Sequence, residues 1–214
     1  MNPQTRARKG EAAPSGQLPL PGGSSRSEFV KRAMLVGGAG IAGAMIAGSP
    51  RSTDAAQLSQ PDLRALNLIL LVEYTEGAFY DEAIRRKKLQ GELLDYAQAV
   101  AAQEREHLKF VRSALGARAE DEPGFDFGDK TGDPDAFATA AGDLEDLAVA
   151  AYNGQGTNVS SKTLAAAATI VSVEARHAAW IRSIVGEPPA PEATDTPQTA
   201  DEVLDGLQQA GLRR

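Results

Sequence analysis

The chain contains two histidines, and a glutamate stands three positions before each of them: Glu104 before His107, and Glu174 before His177. Residues i and i+3 project from one face of an α-helix, so each pair can bind one metal ion. Chance rarely gives two scarce residues the same spacing from a glutamate. The pairs therefore predict two Glu-x-x-His metal-binding elements.

The sequence around these pairs is duplicated. One constant offset aligns Glu104, His107, Phe110 and Gly116 with Glu174, His177, Trp180 and Gly186, and a second aligns Glu73 and Tyr80 with Glu145 and Tyr152. Repetition of this kind predicts that the two halves of the chain pack around a pseudo-twofold axis. The metal-binding elements would then meet on that axis.

Two further carboxylates complete the predicted site. Glu73 shares a helix face with Ile69 and Leu70, and Glu145 shares one with Ala141 and Ala148. Four carboxylates in an apolar core are costly unless two divalent cations offset their charge. The predicted metal ligands are Glu73, Glu104, His107, Glu145, Glu174 and His177. Carboxylate and imidazole ligands suit iron first, then manganese, and zinc less selectively.

Several assignments within the site have alternatives. Glu76, one helical turn beyond Glu73, competes with it as the ligand from the first helix. Asp146 is a weaker alternative to Glu145. Tyr80 and Tyr152 are either hydrogen-bond donors to the site or amphipathic side chains at the edge of the bundle. Trp180 and Phe110 are expected in the core. The sequence does not identify the catalytic residues.

The elements that would position these residues are helices. Pro, Gly and capping signals predict where the helices begin and end. The predicted starts are Pro61, Glu92, Pro134 and Ser160 or Ser161, and the predicted ends lie near Lys88, Leu115, Gly154 and Gly186. The connections are short, long and short. They predict an all-α four-helix bundle of two antiparallel hairpins joined by a long crossover. Thr199 and Glu202 form a capping box that begins a short C-terminal helix to about Leu207.

The N-terminal residues 1–56 are predicted to be a disordered segment and an export signal. The sequence from Ser25 to Lys31 resembles the twin-arginine motif Ser-Arg-Arg-x-Phe-Leu-Lys, although Ser27 replaces its second arginine. The apolar run that follows, residues 33–48, is shorter than the roughly 20 residues of a transmembrane helix. We therefore expect export to the periplasm or cell surface, cleavage near Ala55 or Ala56, and no stable membrane span afterwards. The alternative is an uncleaved glycine-rich anchor.

Residues 57–186 would then form the bundle, and residues 187–214 a proline-rich strap and the short helix. Cysteine is absent, which excludes disulfides and thiolate metal sites. The net charge is −7: residues 1–54 carry a net charge of +4, and the remaining residues carry −11. An acidic bundle repels nucleic acid and tolerates cations, so nucleic acid is not an expected partner.

The ligand set resembles that of di-iron and di-manganese carboxylate bundles. The stretches Leu144–Tyr152 and Val173–His177, and the Asp195-Thr196-Pro197 strap, resemble the bacterial ferritin-like domain family, which is related to plant desiccation-associated proteins. The resemblance covers roughly residues 60–207. It implies a ferritin-like four-helix bundle that binds two divalent metal ions.

These observations give two functional hypotheses. The first is an exported di-metal protein with ferroxidase or peroxide-consuming activity in oxidative or desiccation stress; its partners would be metal ions and O₂ or peroxide, and it could form a homo-oligomer. The second is a metal-binding or structural stress-protection protein without turnover.

Overall fold

The computed structural model describes residues 58–213, and the predicted disordered segment and export signal lie outside them. The helices are α1 (Gln60–Arg86), α2 (Gly91–Leu115), α3 (Pro134–Gln155), α4 (Ser161–Val185) and α5 (Ala200–Ala210). Two short strands, β1 (Gly124–Phe125) and β2 (Leu212–Arg213), pair antiparallel. The structure confirms the predicted all-α four-helix bundle with a short C-terminal helix.

Local signals in the sequence set the helix ends. The Ser59 hydroxyl accepts a hydrogen bond from the backbone N–H of Asp62, and the Asp133 carboxylate caps the first turn of α3. The predicted capping box of Thr199 and Glu202 is present at the start of α5. Gly91, one residue before the predicted helix start at Glu92, is the first residue of α2 and has a φ of 56°.

The crossover between α2 and α3 runs along α1. Near its start, the Asn67 side-chain amide donates to the carbonyl of Arg118 at 3.2 Å. Near its end, the Thr131 hydroxyl donates to Glu82 at 2.6 Å. Because Asn67 and Glu82 lie towards opposite ends of α1, the crossover carries the chain along the bundle, and α3 begins beside the end of α1.

Aromatic side chains fill the bundle at this end. The rings of Phe79 and Phe137 stack with centroids 5.3 Å apart, and Phe127 from the crossover meets Phe79 edge-on at 5.4 Å. At the opposite end, the Asp62 carboxylate accepts a hydrogen bond from the backbone N–H of Ser160 at 2.8 Å. These contacts fix α1 relative to α3 and α4 at both ends.

The proline-rich strap after α4 returns along α3. The backbone N–H of Gln198 donates to the carbonyl of Ala150 at 3.1 Å. Beyond the strap, α5 buries Val203 and Leu207 completely. Gly206 faces Leu147 so closely that a Cβ there would lie 2.9 Å from its methyl groups. The strap and α5 therefore cover the outer face of α3.

The prediction that Phe110 lies in the core is wrong, because its side chain is 42% exposed. Its counterpart Trp180 is half-buried and packs against Tyr96. Within residues 58–213, no helix combines the length and apolar character that a membrane span requires.

Replacing Gly154 with alanine should detach the strap. A Cβ on Gly154 would lie 1.8 Å from the backbone carbonyl oxygen of Gln198, which cannot move without breaking the contact with Ala150. Overpacking of this kind costs about 1–3 kcal/mol, and denaturant unfolding would measure it. Gly77→Ala is the matched control, because that helical position has no atom within 4 Å of a new Cβ. It should stabilise the protein by roughly 0.5–1 kcal/mol. Equal effects of the two changes would contradict the proposed contact.

Candidate metal centre

The six predicted ligands come together at the middle of the bundle, one from each of α1 and α3 and two from each of α2 and α4. The side chains of Glu73, Glu104, Glu145 and Glu174 are fully buried, and that of His177 is 3% exposed. The His107 side chain is the most accessible, at 11%.

The first group of side chains that can hold a metal ion comprises Glu73, Glu104, His107 and Glu174. From His107 Nδ1, the nearest carboxylate oxygens lie at 2.8 Å on Glu174, 3.1 Å on Glu104 and 3.6 Å on Glu73. One potential ligand atom from each residue lies within 4.8 Å of the others. This cluster joins α1, α2 and α4.

The second group comprises Glu104, Glu145, Glu174 and His177. From His177 Nδ1, the carboxylate oxygens lie at 3.1 Å on Glu174, 3.2 Å on Glu104 and 3.3 Å on Glu145. Glu104 and Glu174 thus belong to both groups. The two carboxylates stand between the two imidazoles, whose ring centroids are 6.2 Å apart.

The same region contains a fifth buried carboxylate, Glu76, which is fully buried. Neither of its oxygens has a hydrogen-bond partner. Glu73 and Glu76 therefore both face the interior. The structure does not require that only one of them serve the site. Asp146 lies elsewhere, since its half-exposed carboxylate pairs with Arg182.

The buried carboxylates fit a metal centre. Among the described residues, Glu73 Oε2 and both oxygens of Glu76 are buried without a hydrogen-bond partner, and the carboxylate oxygens beside the imidazoles share only two nitrogens, His107 Nδ1 and His177 Nδ1. Buried charges that lack partners are costly unless they are paired or coordinate metal ions. Two imidazoles cannot offset five carboxylates, whereas two divalent cations close most of the difference.

In the metal-free protein, the two imidazoles are the cationic groups that face the carboxylates. Burial favours neutral forms, but hydrogen bonds and charges from Glu104 and Glu174 outweigh it and raise the pKa of His107 to about 11. Burial likewise opposes ionisation of Glu104, yet His107 and His177 lower its pKa to about 2. The pKa of His177 is also raised well above its usual range, against the effect of burial, chiefly by Glu145.

The carboxyls of Glu73, Glu76 and Glu145 are held towards their protonated forms. Burial, with the charges of Glu174 and Glu104, raises the pKa of Glu73 well above its usual range. Burial and four neighbouring glutamates do the same to Glu76. Burial raises the pKa of Glu145 to about 7, although His177 opposes this. Without metal ions, the site therefore retains protons.

Three tyrosines donate hydrogen bonds to the site. The Tyr152 hydroxyl donates to Glu73 Oε1 at 2.5 Å, and the Tyr80 hydroxyl donates to Glu145 Oε1. Each tyrosine therefore reaches the glutamate of the other half of the repeat. This resolves the alternatives left by the sequence: both hydroxyls contact carboxylates of the site. Tyr96 also donates to Glu145 Oε1, at 3.3 Å.

Sequence reasoning missed two groups beside the site. Tyr96 lies about two helical turns before Glu104, and this spacing could have indicated its face of the helix. Gln103 lies 3.1 Å from Nε2 of His177 through its side-chain oxygen. This contact orients the imidazole so that Nδ1 faces the carboxylates. It joins α2 to α4, and no spacing along either helix predicts it.

Comparison with known families identifies one relationship. Residues 61–187 match the family model described as a ferritin-like domain, and the match takes in all four long helices and the crossover. A search of curated proteins gives no significant match.

The metal-free protein should lose stability as the pH rises from 4.5 towards about 11. A group whose pKa is raised by folding stabilises the fold below its unfolded pKa, and this contribution disappears as the pH passes the folded value. For Glu145 the contribution falls between its ordinary pKa of 4.5 and about 7, and for His107 between 6.5 and about 11.

Metal binding requires deprotonated ligands, so the stabilisation of the protein by Mn²⁺ should increase as the pH rises. A hundredfold excess over Kd stabilises the folded state by about 2.7 kcal/mol. Thermal unfolding at several pH values, with and without Mn²⁺, would measure both effects. A metal-induced rise in Tm that shrinks as the pH increases would contradict this account.

Proposed function

Because the chain belongs to the ferritin-like domain family, we propose that it binds two divalent metal ions, iron or alternatively manganese, and uses them to consume O₂ or peroxide. The first ion would take Glu73 and His107, and the second Glu145 and His177. Glu104 and Glu174 would be shared between them.

The sharing of Glu104 and Glu174 is the observation that carries the proposal. Each of these carboxylates belongs to both groups of potential ligands. A carboxylate has two oxygens, so one residue can contact two adjacent ions. The structure thus supports a pair of ions more strongly than one ion. Oxygen and imidazole ligands without thiolates favour iron and manganese.

When bound, two such ions supply electrons for the reduction of O₂ or peroxide. The residues around them would orient the ligands and exclude water. Tyr152 holds Glu73 and Tyr80 holds Glu145 through hydrogen bonds to one carboxylate oxygen, which leaves the other oxygen free. Burial raises the pKa of both hydroxyls well above 10, so they remain donors. Glu76 adds a carboxyl without a hydrogen-bond partner beside the ions.

The proposal includes export and a role in oxidative or desiccation stress. Its support is the segment from Ser25 to Lys31, whose resemblance to a twin-arginine signal is incomplete at Ser27. Fractionation of the native host, with detection of a shortened protein outside the cytoplasm, would test export. Full-length protein in the cytoplasm alone would refute it.

Metal analysis of single-residue variants tests the shared arrangement. The unaltered protein should bind two ions per chain. His107→Ala and His177→Ala should each weaken binding of one of the two ions, whereas Glu104→Ala should weaken binding of both, because Glu104, unlike either histidine, belongs to both groups. Titration with Mn²⁺ followed by elemental analysis would measure occupancy. Glu106→Ala is the matched control: this exposed glutamate on α2 pairs with Lys109 and should leave both ions in place. Loss of only one ion in Glu104→Ala would contradict the sharing.

Anaerobic addition of Fe²⁺, followed by air or peroxide, tests turnover. Oxidant consumption should accompany a new absorbance of oxidised iron in the unaltered protein. Both signals should disappear in Glu104→Ala and persist in Glu106→Ala. Two tightly bound ions without oxidant consumption would instead identify a metal-binding protein without turnover, which is the second functional hypothesis.

A further inference from the structure

We propose that Tyr80, Tyr96 and Trp180 form a one-electron route between the buried site and the protein surface. Its external end would accept electrons from a small one-electron reductant, such as a phenol or ascorbate. The inference rests on the proposed function, because O₂ or peroxide at the metal centre is the oxidant that draws electrons along the route.

The three side chains are in continuous contact. The Tyr80 hydroxyl donates to Glu145 Oε1, and its oxygen lies 3.0 Å from the Tyr96 hydroxyl oxygen. The Tyr96 ring meets the Trp180 indole edge-on, with centroids 5.2 Å apart and an interplanar angle of 86°. Tyr80 and Tyr96 are fully buried, whereas Trp180 is half-buried. The series therefore runs from the carboxylates outwards.

Core packing alone does not explain these residue types. Phenylalanine would fill the position of Tyr96 without placing a hydroxyl in the interior. Instead, the hydroxyls of Tyr80 and Tyr96 both lie within hydrogen-bonding distance of Glu145 Oε1 and of each other. Trp180 is the single tryptophan of the chain. Tyrosine and tryptophan side chains, which lose one electron readily, thus contact one another beside the proposed redox site.

The arrangement exists in one half of the pseudo-symmetric bundle. In the other half, Tyr152 donates to Glu73, but the repeat places Ala166 where Tyr96 would lie and Phe110 where Trp180 would lie. Within residues 58–213, no aromatic ring contact involves Tyr152. A feature required only for binding metal ions would be expected in both halves.

Each transfer along the route moves one electron and leaves every residue with its original number of protons. Oxidation of Tyr80 sends an electron to the oxidant and the phenolic proton to Glu145 Oε1. Tyr96 then transfers its hydroxyl hydrogen to the Tyr80 oxygen. Trp180 supplies an electron to Tyr96, which recovers the proton from Glu145 across their 3.3 Å contact. The external reductant finally restores the Trp180 radical cation. Two such transfers reduce one peroxide to two waters, with two protons taken from solvent.

Pulse radiolysis of the full-length protein as purified tests the route without relying on turnover. Azide radicals oxidise tryptophan selectively, so the initial radical lies on Trp180. Decay of the tryptophan radical absorbance should coincide with the rise of a tyrosyl radical. The rise should be lost in Tyr96→Phe and retained in Tyr152→Phe and Tyr74→Phe. Both controls remove a tyrosine outside the route: Tyr152 donates to Glu73, and Tyr74 is a buried tyrosine that accepts a hydrogen bond from Arg112. A tyrosyl rise that persists in Tyr96→Phe would overturn the proposal.

A second measurement uses the iron-loaded protein, peroxide and ascorbate. Trp180→Phe should consume peroxide normally in a single turnover without ascorbate, but lose most peroxide-dependent ascorbate oxidation. Mass spectrometry should find oxidised Trp180 when peroxide is added to the unaltered protein without ascorbate. Unchanged ascorbate oxidation in Trp180→Phe would refute the route. Absence of peroxide consumption in the unaltered protein would instead refute the proposed function, and the radiolysis result would stand independently.

Discussion

The central physical constraint is the burial of five carboxylates within a helical bundle that is otherwise apolar. Their mutual repulsion and desolvation raise the pKa of Glu73 and Glu76 well above the usual range and that of Glu145 to about 7. The two imidazoles lower the pKa of Glu104 to about 2, against the effect of burial. The packing of α1 against α3, the contacts at both ends of the bundle and the inward tyrosines all serve to hold this charge in place. A bundle of the same size with apolar residues here would be easier to stabilise, so stability alone does not account for the buried carboxylates.

Much of this arrangement could be predicted from the sequence. Pro134, Gly116 and Gly186 mark helix ends because their backbone preferences are local, and the duplicated Glu-x-x-His spacing fixes which faces point inwards. The pairing of Tyr80 with Glu145 was not predictable, because spacing within α1 does not reveal which residue of α3 lies opposite. Phe110 was misplaced because its exposure depends on contacts between helices: Trp180 packs against Tyr96, whereas Ala166 occupies the position equivalent to Tyr96 in the other half.

The internal repeat is therefore approximate in a way that distinguishes the two metal positions. Glu76 corresponds to Ala148 and Gln103 to Val173, so the first half has two polar groups that the second half lacks. The second position, with His177, gains a contact from Gln103 and is more deeply buried. The first, with His107, is nearer solvent. Two ions bound at these positions would have unequal affinity and accessibility, although their principal ligands are the same.

The pairing of β1 with β2 also bears on the order in which this molecule assembles. These two-residue strands bring together Gly124 with Arg213 and Phe125 with Leu212, residues far apart in the chain. Helical hairpins form from neighbouring residues and fold quickly, whereas contacts between distant segments must overcome a larger loop-closure entropy. The crossover therefore gains its last partners after both hairpins have formed. Docking of the C-terminal segment onto the crossover is therefore expected to be the slow step of folding.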